Sequence, residues 1–399
     1  MSKFRFPDWR VALATAVSAT ALLAACGGGG DTTVALDTAP TEVAASYAEG
    51  AITGFGSVIV GGVRYDDATC PVYDADGVLQ DRSLLKLGMM IQVDGGPVDR
   101  VAGTAMALRI RFGGEVIGPV GAVDTTASTV QVLGQTVLVT ESTVFDETLA
   151  GGLSALTAGA VVQVHGLLDT VNNRIVATRI EAQAAATTYQ LRGVLTALDP
   201  AVKTFRIGTE LISYAGLAVA DVPATLADGQ IVRVKLQTAQ VSGAWVATQL
   251  FNSLRLPDAR PDARIEGVIS AFTANFTFAV NGLPVDASKA VFSDGTAGIV
   301  LGARVEVTGQ VVNGVLVATK VEVAESRDFG RRMFHLHGDI GNVNTVAQTF
   351  ELRGVTVSYS GTVVYRNGTQ AQIANGKRAE VEGVLDRDRI RLQALLITF

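Results

Sequence analysis

Histidine is nearly missing: His165, His335 and His337 are the three in 399 residues. A serine or cysteine nucleophile needs a base beside it, and so few histidines leave little to build one from. No G-x-S-x-G, H-E-x-x-H, P-loop or dinucleotide-binding glycine pattern occurs. No cofactor is therefore expected. Aromatic residues make up 6% of the chain, with Trp9 and Trp245 the only tryptophans, and the net charge is −6. Binding a nucleic acid takes a basic groove and stacking rings, so an acidic, aromatic-poor chain excludes that partner. Cysteine is as scarce, at Cys26 and Cys70. The apolar run Val11–Leu23 is too short to span a bilayer. Beyond it, long helical periodicity is absent.

What is present begins with the first 50 residues. Lys3, Arg5 and Arg10 precede the apolar run, and Ala24, Ala25 and Cys26 follow it. Positive region, apolar region and small residues are the layout of an export signal. Leu23-Ala24-Ala25-Cys26 resembles the lipobox of bacterial lipoproteins. The resemblance implies cleavage of the signal peptide, residues 1–25, and lipidation of Cys26. Gly27 after the cysteine implies the outer membrane of a Gram-negative bacterium, on its periplasmic or surface face. Each buried CH₂ of an acyl chain contributes about 0.8 kcal/mol to holding the protein on the membrane. Losing residues 1–25, with three basic residues and Asp8, takes the charge from −6 to −8. With Cys26 lipidated, Cys70 has no partner for a disulfide, and it reads as a small half-buried residue. Residues 26–50 are rich in Gly, Ala, Thr and Ser and read as a flexible tether.

The remainder repeats itself. One phrase recurs as "LGMMIQVDG", "TAGAVVQVHG", "LADGQIVRVKL", "VLGARVEVTG" and "IANGKRAEVEG", anchored at Gly88, Gly159, Gly229, Gly302 and Gly376. The steps are 71, 70, 73 and 74 residues. A second phrase recurs in phase at Ala107, Ala177, Ala247, Ala318 and Ala394. A glycine opens each unit near Gly54, Gly118, Gly193, Gly267 and Gly338, and hairpin phrases such as "FRIGT" and "FELRG" complete the set. The expected units are 51–112, 113–184, 188–255, 262–325 and 333–399. Linkers are expected at "RLPDARPDA" and "ESRDFGRR".

Each unit alternates apolar and polar residues, as in Val305 and Val307 against Arg304 and Glu306. Period two with one buried face means strands. At most a short helical turn precedes each anchoring glycine. A glycine inside a long first strand lets it bend and serve both sides of a barrel. The fold class is all-β, as five tandem small β-barrel units of the OB type, with small β-sandwiches as the rival. A membrane-spanning barrel needs strands of about 9–11 residues and aromatic girdles, and these strands look shorter. The repeated pattern is similar to the tandem domain of unknown function 5666 of bacterial envelope lipoproteins. That resemblance implies a barrel on a lipoprotein and carries no catalytic residues.

Candidate sites are few. His335 and His337 lie two apart on a strand, so both imidazoles share one face, but a zinc site needs three or four ligands. The aligned Gln190 and Arg192, and Arg264 and Glu266, read as solvent face. Arg331, Arg332, His335 and His337 together make the fifth unit the candidate ligand surface. Asp66, Asp67, Asp74 and Asp76 cluster in "YDDATCPVYDADG", which lacks the closing Glu of an EF-hand loop and reads as solvated turns. The expectation is a non-catalytic structural or interaction module: a rod of serial barrels on a membrane anchor, with an envelope protein or glycan as partner. An envelope binding protein for glycan, peptide or lipid is the alternative. A carboxylate-based hydrolase ranks behind both, since carboxylate pairs are not local in sequence.

Overall fold

The computed structural model describes residues 44–252, 259–273, 276–323 and 332–399. All belong to the unit Glu42–Phe399. The lipobox with Cys26, and Arg331, lie outside the described residues. The described chain is all-β in small barrel-like sheets, with short 3-10 turns and no α-helix. No described helix is long and apolar enough to cross a membrane.

One pairing path recurs. Tyr189–Asp199 pairs antiparallel with Thr204–Ile207, which pairs with Glu210–Ser213. That strand runs parallel to Ala244–Asn252, which pairs with Ile231–Val241, which returns to Tyr189–Asp199. The long first strand closes the ring by using residues 189–194 on one side and 195–199 on the other. Val116–Asp124 closes with Val161–Asp169 and Arg174–Ala182 in the same way. So does Ala259–Phe272 with Arg304–Val312 and Val315–Val323. Near the C-terminus the first strand is split into Phe334–Asp339 and Gly341–Asn344, and near the N-terminus into Ser46–Ala51 and Gly54–Phe55. Inward Val, Ile and Phe fill each ring, among them Phe205, Phe350 and Ile110 at 1% exposure or less. At about 25 cal/mol per Å² of apolar surface, this burial is what holds small barrels together.

The glycines of the repeat have two separate jobs. Gly88, Gly159, Gly229, Gly302 and Gly376 all have φ between 79° and 88°, left-handed backbone that favours glycine. The glycine of "VTG" and its counterparts lies inside its strand at Gly166, Gly309 and Gly383 and is the last strand residue at Gly95. It sits at a β-bulge, between Asp94 and Gly95, His165 and Gly166, Thr308 and Gly309, and Glu382 and Gly383. A Cβ on Gly309 would stand 2.2 Å from the Val317 carbonyl oxygen, and one on Gly383 2.4 Å from that of Gln393. Leu236 holds the bulge at Ile231–Val241 without a glycine.

Two boundaries move. Ser46–Ala51 is strand, so the expected tether ends before residue 50. Register also reassigns the opening glycine. Gly50 lies opposite Ile91, as Gly118, Gly193, Gly267 and Gly338 lie opposite Val162, Val232, Val305 and Ala379. Gly54 is a contact glycine instead, with the His335 carbonyl oxygen 2.3 Å from where its Cβ would be. Ala259–Phe272 takes in Pro261, so the expected linker there is partly strand.

The expected rod does not form, because segments far apart in sequence pack together. Ser46–Glu49 runs parallel to Asp262–Ile265, and Gly54–Phe55 parallel to His335–Leu336. One apolar cluster joins Ala48, Tyr65 and Ile110 to Phe334, Phe350 and Ile397. Another joins Val116, Phe145 and Ile180 to Leu191, Phe205 and Trp245. Arg64 bridges to Glu380 at 2.7 Å, and the Phe145 N–H donates to the Arg389 carbonyl at 2.9 Å.

Candidate binding cleft

The corrected register shows what the outward residues of the first strands do. Two and zero positions before the residue preceding the opening glycine stand Tyr47 and Glu49, Glu115 and Ile117, Gln190 and Arg192, Arg264 and Glu266, and His335 and His337. The sequence reads this face as solvated. In the structure much of it joins one barrel to the next. Arg192 grips Glu115 at 2.8 and 3.0 Å, and Gln190 is buried and donates to the Gly114 carbonyl at 2.7 Å. Burial works against the Arg192 charge, and the Glu115 carboxylate overrides it and raises the guanidinium's pKa. Glu266 receives Arg304 from its own barrel and Arg332 from the segment leading into the next.

Where these contacts leave room, a cleft of about 680 Å³ opens between several barrels. Its floor is the outward face of three strands, Ser46–Ala51, Met90–Gly95 and Thr104–Phe112. Register puts Glu49 beside Gln92 and Gln92 beside Arg111 in one rank. Tyr47, Asp94 and Arg109 form the next rank. The Tyr47 hydroxyl donates to Glu49 Oε2 at 2.7 Å, and Gln92 Nε2 donates to the same oxygen at 3.1 Å. Burial, then the Glu49 charge, holds the Tyr47 hydroxyl well above the usual tyrosine range, so it stays a donor. Asp94 accepts from Arg109 at 2.8 Å and from Arg260 at 2.8 Å. Burial opposes its charge, but these two guanidiniums win and lower its pKa.

On the wall, Arg233 lies 4.4 Å over the Phe251 ring and bonds Asp76 at 2.9 Å, where Lys235 also pairs. Asp76 is thus an exposed turn residue that also anchors one barrel to another. Its neighbour Asp74 accepts from the Asp76 and Val78 N–H groups at 2.9 and 3.0 Å and from Gln80 at 2.8 Å. These bonds use the carboxylate oxygens that a calcium loop would turn to a cation.

The fifth-unit candidates do not converge. Arg332 is held by Glu266. His337 Nε2 accepts from Arg378 Nε at 3.0 Å, and His335 lies opposite Glu382. Among the described residues no group of three or more His, Cys, Asp or Glu is placed to hold a metal. His165 is fully buried within Val161–Asp169 beside Arg179 and Glu181. Burial, then the Arg179 charge, pushes its pKa down to about 3. Cys70 is buried and unpaired, and burial pushes its thiol up to about 12, which keeps it unreactive.

The cleft residues Tyr47 and Glu49 escape the sequence reading because they fall in the expected tether. The signal that finds them is the repeat itself, once "EGAI" in Glu49–Ile52 is aligned with "EGVI" in Glu266–Ile269.

Three stretches of the chain, residues 117–181, 266–322 and 337–398, match the family model described as Domain of unknown function (DUF5666). The matches support the repeat family over those stretches, and each lies within a barrel path traced above. No curated protein matches the chain. A solved structure titled "drosophila Unr CSD456" aligns with 53% of this chain and 96% of its own at 15% identity, with a TM-score of 0.13. At that score the likeness carries no argument.

Proposed function

We propose that the chain is a lipid-anchored protein of the bacterial cell envelope, built of five tandem OB-type barrels and acting as a non-catalytic interaction module. Cys26 is the lipidated residue, and the outer membrane of a Gram-negative cell is the location. The observation that carries the non-catalytic reading is the fate of four carboxylates where barrels meet. Asp76, Asp94, Glu115 and Glu266 are each tied to guanidiniums that hold barrels together. General acid–base work needs a carboxyl left to exchange its proton with substrate, which such pairing opposes. Four landmarks in constant order, together with the recurring pairing path, favour five units over a sandwich. The envelope address rests on the lipobox pattern. Its test is Cys26→Ser in the native host: the parent should fractionate with membranes, and the variant should be released or retained as uncleaved precursor. Equal membrane content of mature parent and mature variant would reject the anchor.

A further inference from the structure

The cleft above has the chemistry of a ligand site rather than a leftover gap. Its volume falls in the range of small-ligand sites, about 300–1,000 Å³. Its lining carries five carboxylates and five guanidiniums. Equal numbers cancel at a distance, so the cleft gathers neither polyanions nor polycations. What remains is dense, planar hydrogen-bonding capacity. Glu49, Gln92 and Arg111 stand in one rank across neighbouring strands, ~5 Å apart, which is comparable to the span of a pyranose ring. Among the described residues, Glu49 Oε1 accepts no hydrogen bond, and Arg111 is exposed without a carboxylate partner. Carboxylate, amide and guanidinium in a row offer paired acceptors and donors to neighbouring hydroxyls. Phe112 and Phe251 line the same cleft and supply apolar ring surface for the C–H faces of a sugar.

We propose that this cleft binds a neutral oligosaccharide, with Glu49, Gln92 and Arg111 as its polar floor. The proposal rests on reading the chain as a non-catalytic interaction module and names what one surface of that module takes. The floor is pre-organised, because Tyr47 and Gln92 both bond Glu49.

The test is calorimetric titration of the purified full chain with maltose-, cellulose-, chitin- and mannose-type oligomers, and with oligogalacturonate as the charged counterpart. At least one neutral oligomer should bind, and oligogalacturonate should not bind more tightly. Arg111→Ala and Gln92→Ala should each weaken that binding about tenfold or more, about 1.4 kcal/mol. Arg111 is exposed, so its variant should keep the parent's circular dichroism spectrum and melting temperature. Three results would overturn the proposal: no neutral oligomer binding to well-folded protein, preference for oligogalacturonate, or neutral binding that both substitutions leave unchanged. None of the three touches the Cys26 anchoring test, so the two readings fail separately.

Discussion

At the scale of single residues, two buried groups set opposite pH responses. His165 has its pKa lowered from 6.5 to about 3, so the unfolded chain takes up a proton that the native state refuses. Its contribution to stability is complete above 6.5 and is lost as pH falls toward about 3. Glu306 behaves in the reverse sense. It sits between Glu266 and Glu322 across adjacent strands. Burial, then these two carboxylates, raises it from 4.5 to about 7, although Arg264 and Lys320 pull the other way. Its contribution is complete below 4.5 and is lost as pH rises through about 7. One pH series of melting curves checks both. His165→Gln should flatten the acid limb by on the order of 5 kcal/mol, and Glu306→Gln should flatten the loss near neutrality by on the order of 3 kcal/mol. A parent-like profile in either variant would remove that group from the account.

At the scale of elements, glycines stand at the register shifts beside Asp94, His165, Thr308 and Glu382, while Leu236 takes that place in Ile231–Val241. Gly309 and Gly314 separate the two demands placed on glycine in this chain. At Gly309 a Cβ would press on the backbone of the next strand, with the Val317 carbonyl oxygen at 2.2 Å and Ala318 Cα at 2.8 Å. Gly314 has φ of 75° and open space around it. Gly314→Ala should therefore cost only the left-handed backbone penalty, about 1–2 kcal/mol. Gly309→Ala should cost more, about 3 kcal/mol, because neither neighbour is a flexible side-chain end. Urea denaturation midpoints compare them directly, and an equal loss would refute the bulge argument. Strand identity and glycine positions were legible in the sequence, since alternation and left-handed backbone are local properties. The bulge was not legible, because a glycine closing a "VTG"-like alternation looks the same whether the strand stops or kinks.

At the scale of the whole molecule, polar contacts between barrels carry the arrangement of the described chain. Asp94 joins Arg109 of its own barrel to Arg260 of the strand Ala259–Phe272. Removing a buried partner leaves charges without compensation, which costs about 3–5 kcal/mol. Asp94→Ala should lose about that much. In a double-mutant cycle with Arg260→Ala the coupling should exceed about 1 kcal/mol. Additive losses would mean that the pair does not join the barrels.

The sequence by itself determined the all-β class, the repeat and its glycines, and the scarcity of histidine and cysteine. Each follows from local backbone preference or from residues that are simply missing. Only the tertiary structure decided the register that makes Gly50 the opening glycine, the packing of distant segments in place of a rod, and the cleft. The reason is physical. An outward polar residue on a strand obeys the same alternation whether it meets water or the guanidinium of another barrel. Glu49, Asp94 and Arg192 acquire their roles only when the barrels close against one another.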